Sequence, residues 1–401
     1  MKRYWKIIFL CFLSIIVIGA FYIQSSFANQ NQIQIQFEKV KGDENEVKDL
    51  LLYGEYTVGN LYQGLQITSE ETIQPNQKSF LYQLTPARYA PLIRNLIKEH
   101  KSFMRGKDFS PSHYYEDENI LAYAAVKGNF NDTSSHSTFD IEVLNKKTEE
   151  TITIESDVPG MEKYSWMHVA DVQVIKNTLK VFTRGFGKEG DEALFVYTFN
   201  LKTKKLVSDD TITASHANEN SWVEARLLTD DNSIQPQDYH LMMVNTFEAE
   251  NVEKYSDGMS YDGVEKLVKQ EVYIYNIQQN QLEKLTFPEE GLESDAYSIF
   301  QSSIYVHDLT ADGLNVHVYD IKKAEWTAKW TFDLPEDTDG KSRPYIEIMD
   351  GKLYTLYATG HDHTLLIGDL ETGGILYEGK LKVQNQEKDS EEYQLYFHDI
   401  E

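Results

Sequence analysis

The chain has 401 residues, enough for one large domain or two ordinary ones. With 64 Asp and Glu against 38 Lys and Arg, its formal charge is −26, which argues against a nucleic-acid partner because phosphate binding is driven by basic residues. Hydrophobic residues at 41% and aromatics at 12% exclude global disorder, and a single cysteine excludes an internal disulfide, a cysteine-type zinc site and an iron–sulfur cluster.

Lys2, Arg3 and Lys6 precede an uncharged apolar run from Ile7 to Ile23. That run is at the short limit for spanning a bilayer and slightly longer than a usual signal-peptide core. The basic flank places the N-terminus in the cytoplasm and the rest of the chain outside. Two readings stand for residues 1–28: a retained signal anchor, which is favoured, or a signal peptide cut after the small-x-small triplet Ser26-Phe27-Ala28. Cys11 lies mid-run behind Ile8-Phe9-Leu10, without the small preceding residue a lipidation site needs, and reads as apolar filler. A head of this kind resembles those of exported proteins of Gram-positive bacteria. Residues 29–401 are then the extracytoplasmic domain.

Strand-like pieces follow at 50–53 and 65–68. From Pro91 to Arg105 the apolar residues fall at 92, 93, 96, 97, 103 and 104, the spacing of an amphipathic helix. Residues 86–107 also concentrate positive charge: Arg88, Arg94, Lys98, Lys101, Arg105 and Lys107 against Glu99 alone. This segment is the candidate surface for an acidic partner, anionic lipid or wall polymer. A bland reading is also open, a helix packed by its apolar face with a solvated basic side.

The body repeats one pattern. An alternating strand ends in Asn or Asp, a linker of five residues follows, and the chain usually resumes with an apolar residue. The Asn/Asp positions are Asn145, Asn200, Asn276, Asp320 and Asp369, at spacings of 55, 76, 44 and 49. Alternation such as Val316-His317-Val318-Tyr319 has strand periodicity, and Asn or Asp starts a tight turn. Further strands are expected upstream at 120–126, 169–175, 179–183, 241–244, 304–307, 345–349 and 353–357. The 76-residue spacing contains Glu248 to Gln270, expected to be a long hairpin loop. The C-terminal Tyr393 to Ile400 also alternates and is expected to pair with an N-terminal strand.

Three or four strands in about 50 residues resemble a β-propeller blade. The last copy, Asp369-Leu370-Glu371-Thr372-Gly373-Gly374, is similar to the turn of quinoprotein-type and WD-repeat blades. The expected fold is therefore all-β: a propeller of about seven blades, within six to eight, plus an N-terminal transmembrane helix and one amphipathic helix near 91–105. An open pair of β-sandwiches is the competing architecture.

Chemical motifs are sparse. Gly185-Phe186-Gly187-Lys188-Glu189-Gly190 fits a dinucleotide fingerprint by letters, but a strand follows it rather than a helix, so it reads as a hairpin. His361-Asp362-His363 is the densest set of candidate metal ligands, expected in a loop between two strands, with no third firm ligand nearby. The acidic loops around Asp230, Asp308 to Asp312 and Glu336 to Asp339 offer hard oxygens that suit calcium, but none has a complete calcium-loop spacing. No other cofactor is expected. Carboxylates are too abundant for a catalytic pair to be chosen. The favoured function is a non-catalytic accessory, membrane-anchored and extracytoplasmic, that binds a protein partner or envelope component. The alternatives are an extracytoplasmic enzyme (glycan hydrolase or lyase, or quinone-dependent oxidoreductase) and a secreted ligand-binding protein.

Overall fold

The computed structural model describes residues 5, 9, 12–16, 33–59, 61–74, 89, 91–128, 137–188, 192–214, 221–228, 233–250, 264–287, 297–310, 313–334, 344–359, 362–384 and 393–401. Their strands form six sheets, four of them up-and-down meanders of consecutive strands and two joined at one edge by a strand from the opposite end of the chain. This is the all-β, propeller-type fold expected. Six sheets among the described residues lie within the expected range and one below the favoured count of seven. The reason is longer spacing: the hairpin of the fourth sheet and the helical insertion absorb chain that a uniform period would assign to another blade.

The chain divides into two compact units. The first takes Met1–Arg88, Asp337–Glu347 and Lys352–Glu401. It contains β1 (Gln34–Gly42), β2 (Leu52–Val58), β3 (Leu61–Ile67) and β4 (Thr72–Ile73). It also holds β22 (Lys352–Thr359), β23 (Asp362–Asp369), β24 (Ile375–Gln384) and β25 (Tyr393–Ile400), with most of β21 (Tyr345–Met349). The C-terminal β25 pairs with β2, giving sheet order β25-β2-β3-β4, with Leu52 opposite Ile400 and Tyr56 opposite Leu395. Reciprocal bonds between Leu51 and Glu401 extend this ladder. The N-terminal β1 joins the other sheet as a fifth strand beside β24. The two ends of the chain thus each complete a sheet begun elsewhere in sequence, as expected for Tyr393 to Ile400.

The second unit, Tyr89–Glu336 with Ile348–Gly351, holds four sheets in chain order. Sheet II contains β5 (Tyr114–Glu116), β6 (Ile120–Lys127), β7 (Thr138–Asn145) and β8 (Thr151–Asp157). Sheet III contains β9 (Tyr164–Ile175), β10 (Thr178–Gly187), β11 (Glu192–Asn200) and β12 (Lys205–Ala214). Sheet IV contains β13 (Ser221–Leu228), β14 (Tyr239–Glu250), β15 (Val264–Asn276) and β16 (Gln281–Lys284). Sheet V contains β17 (Tyr297–Phe300), β18 (Ser303–Thr310), β19 (Gly313–Asp320) and β20 (Glu325–Phe332). Much of the segment expected as a loop at 248–270 is strand instead, because β14 and β15 continue their ladder to Glu250 opposite Val264.

Side-chain alternation explains the stacking of these sheets. Along β11, Phe195, Tyr197 and Phe199 face sheet II, where Phe139 packs edge-on against Phe199 at 5.4 Å. Leu194 and Val196, on the opposite face of β11, meet Ala225, Met242 and Tyr275 of sheet IV. Leu241 and Met243 of β14 then meet Ile304 and Val306 of sheet V. Middle strands are therefore apolar on both faces, while last strands such as β16 and β20 are exposed or alternate. Each fully buried large side chain contributes about 1.5–3 kcal/mol.

The repeated turn closes the hairpin between third and fourth strands in five sheets. Asn145 Oδ1 accepts the backbone N–H groups of Lys147 and Thr148 at 2.9 and 3.0 Å, and Asn200, Asn276 and Asp369 do the same two and three residues on. Asp320 Oδ1 accepts from Lys323 at 3.1 Å. In every copy the fourth residue after the Asn or Asp is left-handed: Glu149, Lys204, Asn280, Ala324 and Gly373.

Candidate functional site

The basic segment is built on α1 (Pro91–Glu99), followed by turns through Gly106. Proline at the first position suits a helix start, since its missing N–H has no partner there. The helix stops at Glu99, short of the expected Arg105. Ile93 and Leu96, with Phe103 and Met104 from the turns, pack on Tyr114, Leu121, Tyr123 and Ala125 of sheet II. Along β6, Leu121, Tyr123 and Ala125 alternate with Ala122 and Ala124, which face sheet III. The helix therefore covers the face of sheet II opposite sheet III, and that seat fixes its outward side.

Of the six expected basic residues, Lys98, Lys101 and Arg105 are exposed and Arg94 is half-buried. Arg88 lies outside the described residues. Lys107 is a correction: it is 8% exposed, donates to the Phe103 carbonyl at 2.5 Å and pairs with Glu142 at 2.9 Å. Its ammonium also lies over the Phe103 ring at 4.2 Å. Phe103 stands four residues before Lys107, so the turn folds the charge back into the core. Lys107 holds the segment in place and is not part of its surface. Lys146 bonds Glu116 at 2.6 Å, and that carboxylate lies 3.7 Å from His100.

His361 and the Asp362 side chain lie outside the described residues. Asp362 and His363 belong to strand β23 rather than to a loop, and the half-buried His363 ring packs edge-on against Phe397 at 5.4 Å. Among the described residues no group of three metal-ligating side chains converges. Of the acidic loops, Asp308 is described, and it pairs with His317 at 3.3 Å; residues 230–232 and 335–340 lie outside. Gly185 and Gly187 end β10, and a Cβ on Gly185 would meet the Tyr164 and Phe195 rings at 3.0–3.2 Å, so that glycine makes room for packing.

Sequence reasoning missed a cavity of about 610 Å³ in the second unit. Its wall comes from four distant segments: Ser110 and Ser112 before β5, His168 to Ala170 of β9, Arg226 to Leu228 of β13, and Tyr297 of β17, with Arg184 of β10 beside His168. A bulge at Ala170 shifts the β9–β10 register here. Arg184 donates Nε and Nη2 to Glu192 at 3.1 and 2.6 Å, and its Nη2 lies 3.7 Å from Glu224. Glu192 also accepts the Ala225 N–H at 3.1 Å, and Glu224 accepts Nε of Arg226 at 2.7 Å. Burial, then Arg184 and His113, hold the His168 imidazole below its ordinary range, so it is neutral at pH 7. Trp166 stacks on His168 at 5.0 Å and on Phe186 at 5.7 Å.

No family model matches the sequence, and no curated protein sequence matches it. Solved structures are similar to the chain only at a low level. TolB from Acinetobacter baumannii is 12% identical over 86% of this chain, with a TM-score of 0.30, and the chain spans 66% of TolB's length. The β-propeller domain of the Trilobed protease from Pyrococcus furiosus is 12% identical, covering 89% of this chain and 86% of that one at a TM-score of 0.29. A prolyl endopeptidase is 9% identical over 86% of this chain and 51% of its own, at 0.33. Likeness at this level carries nothing about ligand or activity.

Proposed function

We propose that this chain is a membrane-anchored, extracytoplasmic propeller-type protein that binds an acidic protein partner or envelope component without catalysing chemistry on it. One observation carries the reading: α1 and its following turns are clamped to sheet II by Ile93, Leu96, Phe103, Met104 and the buried Lys107, leaving Arg94, Lys98, Lys101 and Arg105 as a fixed basic surface. In a chain of net charge −26, a concentrated and rigidly mounted positive surface favours an anionic partner through attraction and orientation. The anchor rests on the basic flank before the apolar run. Residues 5, 9 and 12–16 of that region are helical, and Phe9, Phe12, Ile15 and Ile16 are exposed, as lipid-facing residues would be. No helix among the described residues is long and apolar enough to cross a membrane, and most of the run lies outside them.

The test is crosslinking in cells of the full-length chain and of a variant with Arg94, Lys98, Lys101 and Arg105 all changed to Glu, with mass spectrometry of what each retains from membranes. The wild type should retain a reproducible partner with its own N-terminus uncleaved. The variant should lose it while melting within several degrees of wild type, because the three exposed charges contribute about 0.5 kcal/mol or less apiece and Arg94 is only half-buried. Retained capture by the folded variant would remove this surface from the binding reading.

A further inference from the structure

We propose that the cavity between Ser110, His168, Arg184, Arg226 and Tyr297 is a second binding site, which takes a small ligand through a single carboxylate group. This site is separate from the basic surface of α1 and does not depend on it.

The cavity, at about 610 Å³, has the volume of a small-molecule site. Its chemistry is dominated by donors. A guanidinium carries five N–H groups in a rigid fork. Arg184 commits Nε and Nη2 to Glu192, and Arg226 commits Nε to Glu224 and pairs with it through Nη2. The Nη1 amino group of each has no acceptor among the described residues. The two glutamates therefore act as a frame that holds both guanidinium groups at the cavity wall, each with Nη1 uncommitted. Glu192 is itself held by the Ala225 N–H, so the frame is part of the β11–β13 contact between sheets III and IV. Trp166 stacks on the lining residue His168 at 5.0 Å, so its fluorescence can report a ligand that settles against that imidazole.

Charge decides which oxyanion fits. Arg184 and Arg226 are balanced by Glu192 and Glu224, and His168 is neutral at pH 7. The cavity has directed donors without surplus positive charge. A dianion such as phosphate would meet two carboxylates with no net compensation. A carboxylate brings one charge and two oxygens, each able to accept from an uncommitted Nη1 group. Its source is either a sugar acid or the free C-terminus of a short peptide, since both present the same group.

The test is calorimetric titration and tryptophan fluorescence of the full-length chain in detergent. The probes are N-acetyl-alanyl-alanine, its C-terminal amide, glucuronate and inorganic phosphate. At least one carboxylate probe should bind, the amide and phosphate should bind at least about tenfold more weakly, and Arg226→Gln should weaken the carboxylate by a similar factor. Binding of the peptide alone or of glucuronate alone assigns the source, and either supports the site. Arg226 is half-exposed, so its variant should fold; a matching melting curve confirms this, and Arg184→Lys serves as the second variant. The variant with four glutamates on the α1 surface should bind the carboxylate normally. No binding of either carboxylate probe up to about 10 mM, tighter binding of phosphate, or unchanged affinity in folded Arg226→Gln would overturn the proposal.

Discussion

His307 on β18 shows how single residues tie this fold to pH. Burial pushes its imidazole down to about 4 from the ordinary 6.5, and the nearby Asp308 offsets only part of that effect. Between those values the unfolded chain holds a proton at this position that the folded chain does not. Stability is therefore complete above about pH 6.5 and falls as pH drops toward 4. The loss is on the order of 3 kcal/mol, since a tenfold change in proton affinity is worth about 1.4 kcal/mol. His113 and His168 are lowered by burial too and act in the same direction. Urea titrations of wild type and His307→Gln across this range provide the check. The variant should show a visibly flatter loss of stability, and parallel curves would remove His307 as a contributor.

At the scale of elements, the repeated hairpin is the clearest link between sequence and structure. Each copy begins with an Asn or Asp that captures following N–H groups, so local chemistry alone sets where the strand ends. The left-handed residue four positions on is a separate requirement. Four copies meet it with Glu149, Lys204, Asn280 and Ala324, and the last meets it with Gly373. A side chain in that conformation costs about 1 kcal/mol or more relative to glycine. Gly373→Ala should thus destabilise by about 1 kcal/mol, and Ala324→Gly should stabilise by up to a similar amount. Denaturant midpoints of the two variants test this as a pair, and shifts of the same sign would contradict the turn geometry. The motif was legible as an Asn or Asp spacing; the shared position of the left-handed residue was not, because residues of unrelated chemistry occupy it.

For the whole molecule, the decisive pairing joins the two ends of the chain. Sheet order β25-β2-β3-β4 takes one edge from residues near the C-terminus, and Leu395 and Ile400 of β25 are buried in it. Truncation after residue 392 removes both side chains together with the ladder to β2. It should cost at least about 3 kcal/mol, from the two buried side chains alone. Limited proteolysis would then cut first within the unit that contains β2, and a truncated chain with an unchanged melting profile would show that β25 is dispensable. This pairing was foreseeable from the alternation of Tyr393 to Ile400. The partner strand β2 was only partly legible, as Leu50 to Tyr53, because Gly54, Glu55 and Thr57 blur the alternation of its second half.

By itself, the sequence determined what depends on neighbouring residues: strand periodicity, the five turn sites, the amphipathic stretch at 91–105 and the basic flank of the N-terminal run. Only the tertiary structure decided what depends on residues far apart. It set the number of sheets, because loop and hairpin lengths vary between repeats. It withdrew Lys107 from the basic surface, because Glu142, far along the chain on β7, lies beside it once that strand is in place. It also created the arginine-lined cavity, since Arg184 and Arg226 come together only when sheets III and IV stack through Glu192 and Ala225. Short-range preferences are written in consecutive residues, whereas charge pairing and cavity shape arise only once distant strands share an interface.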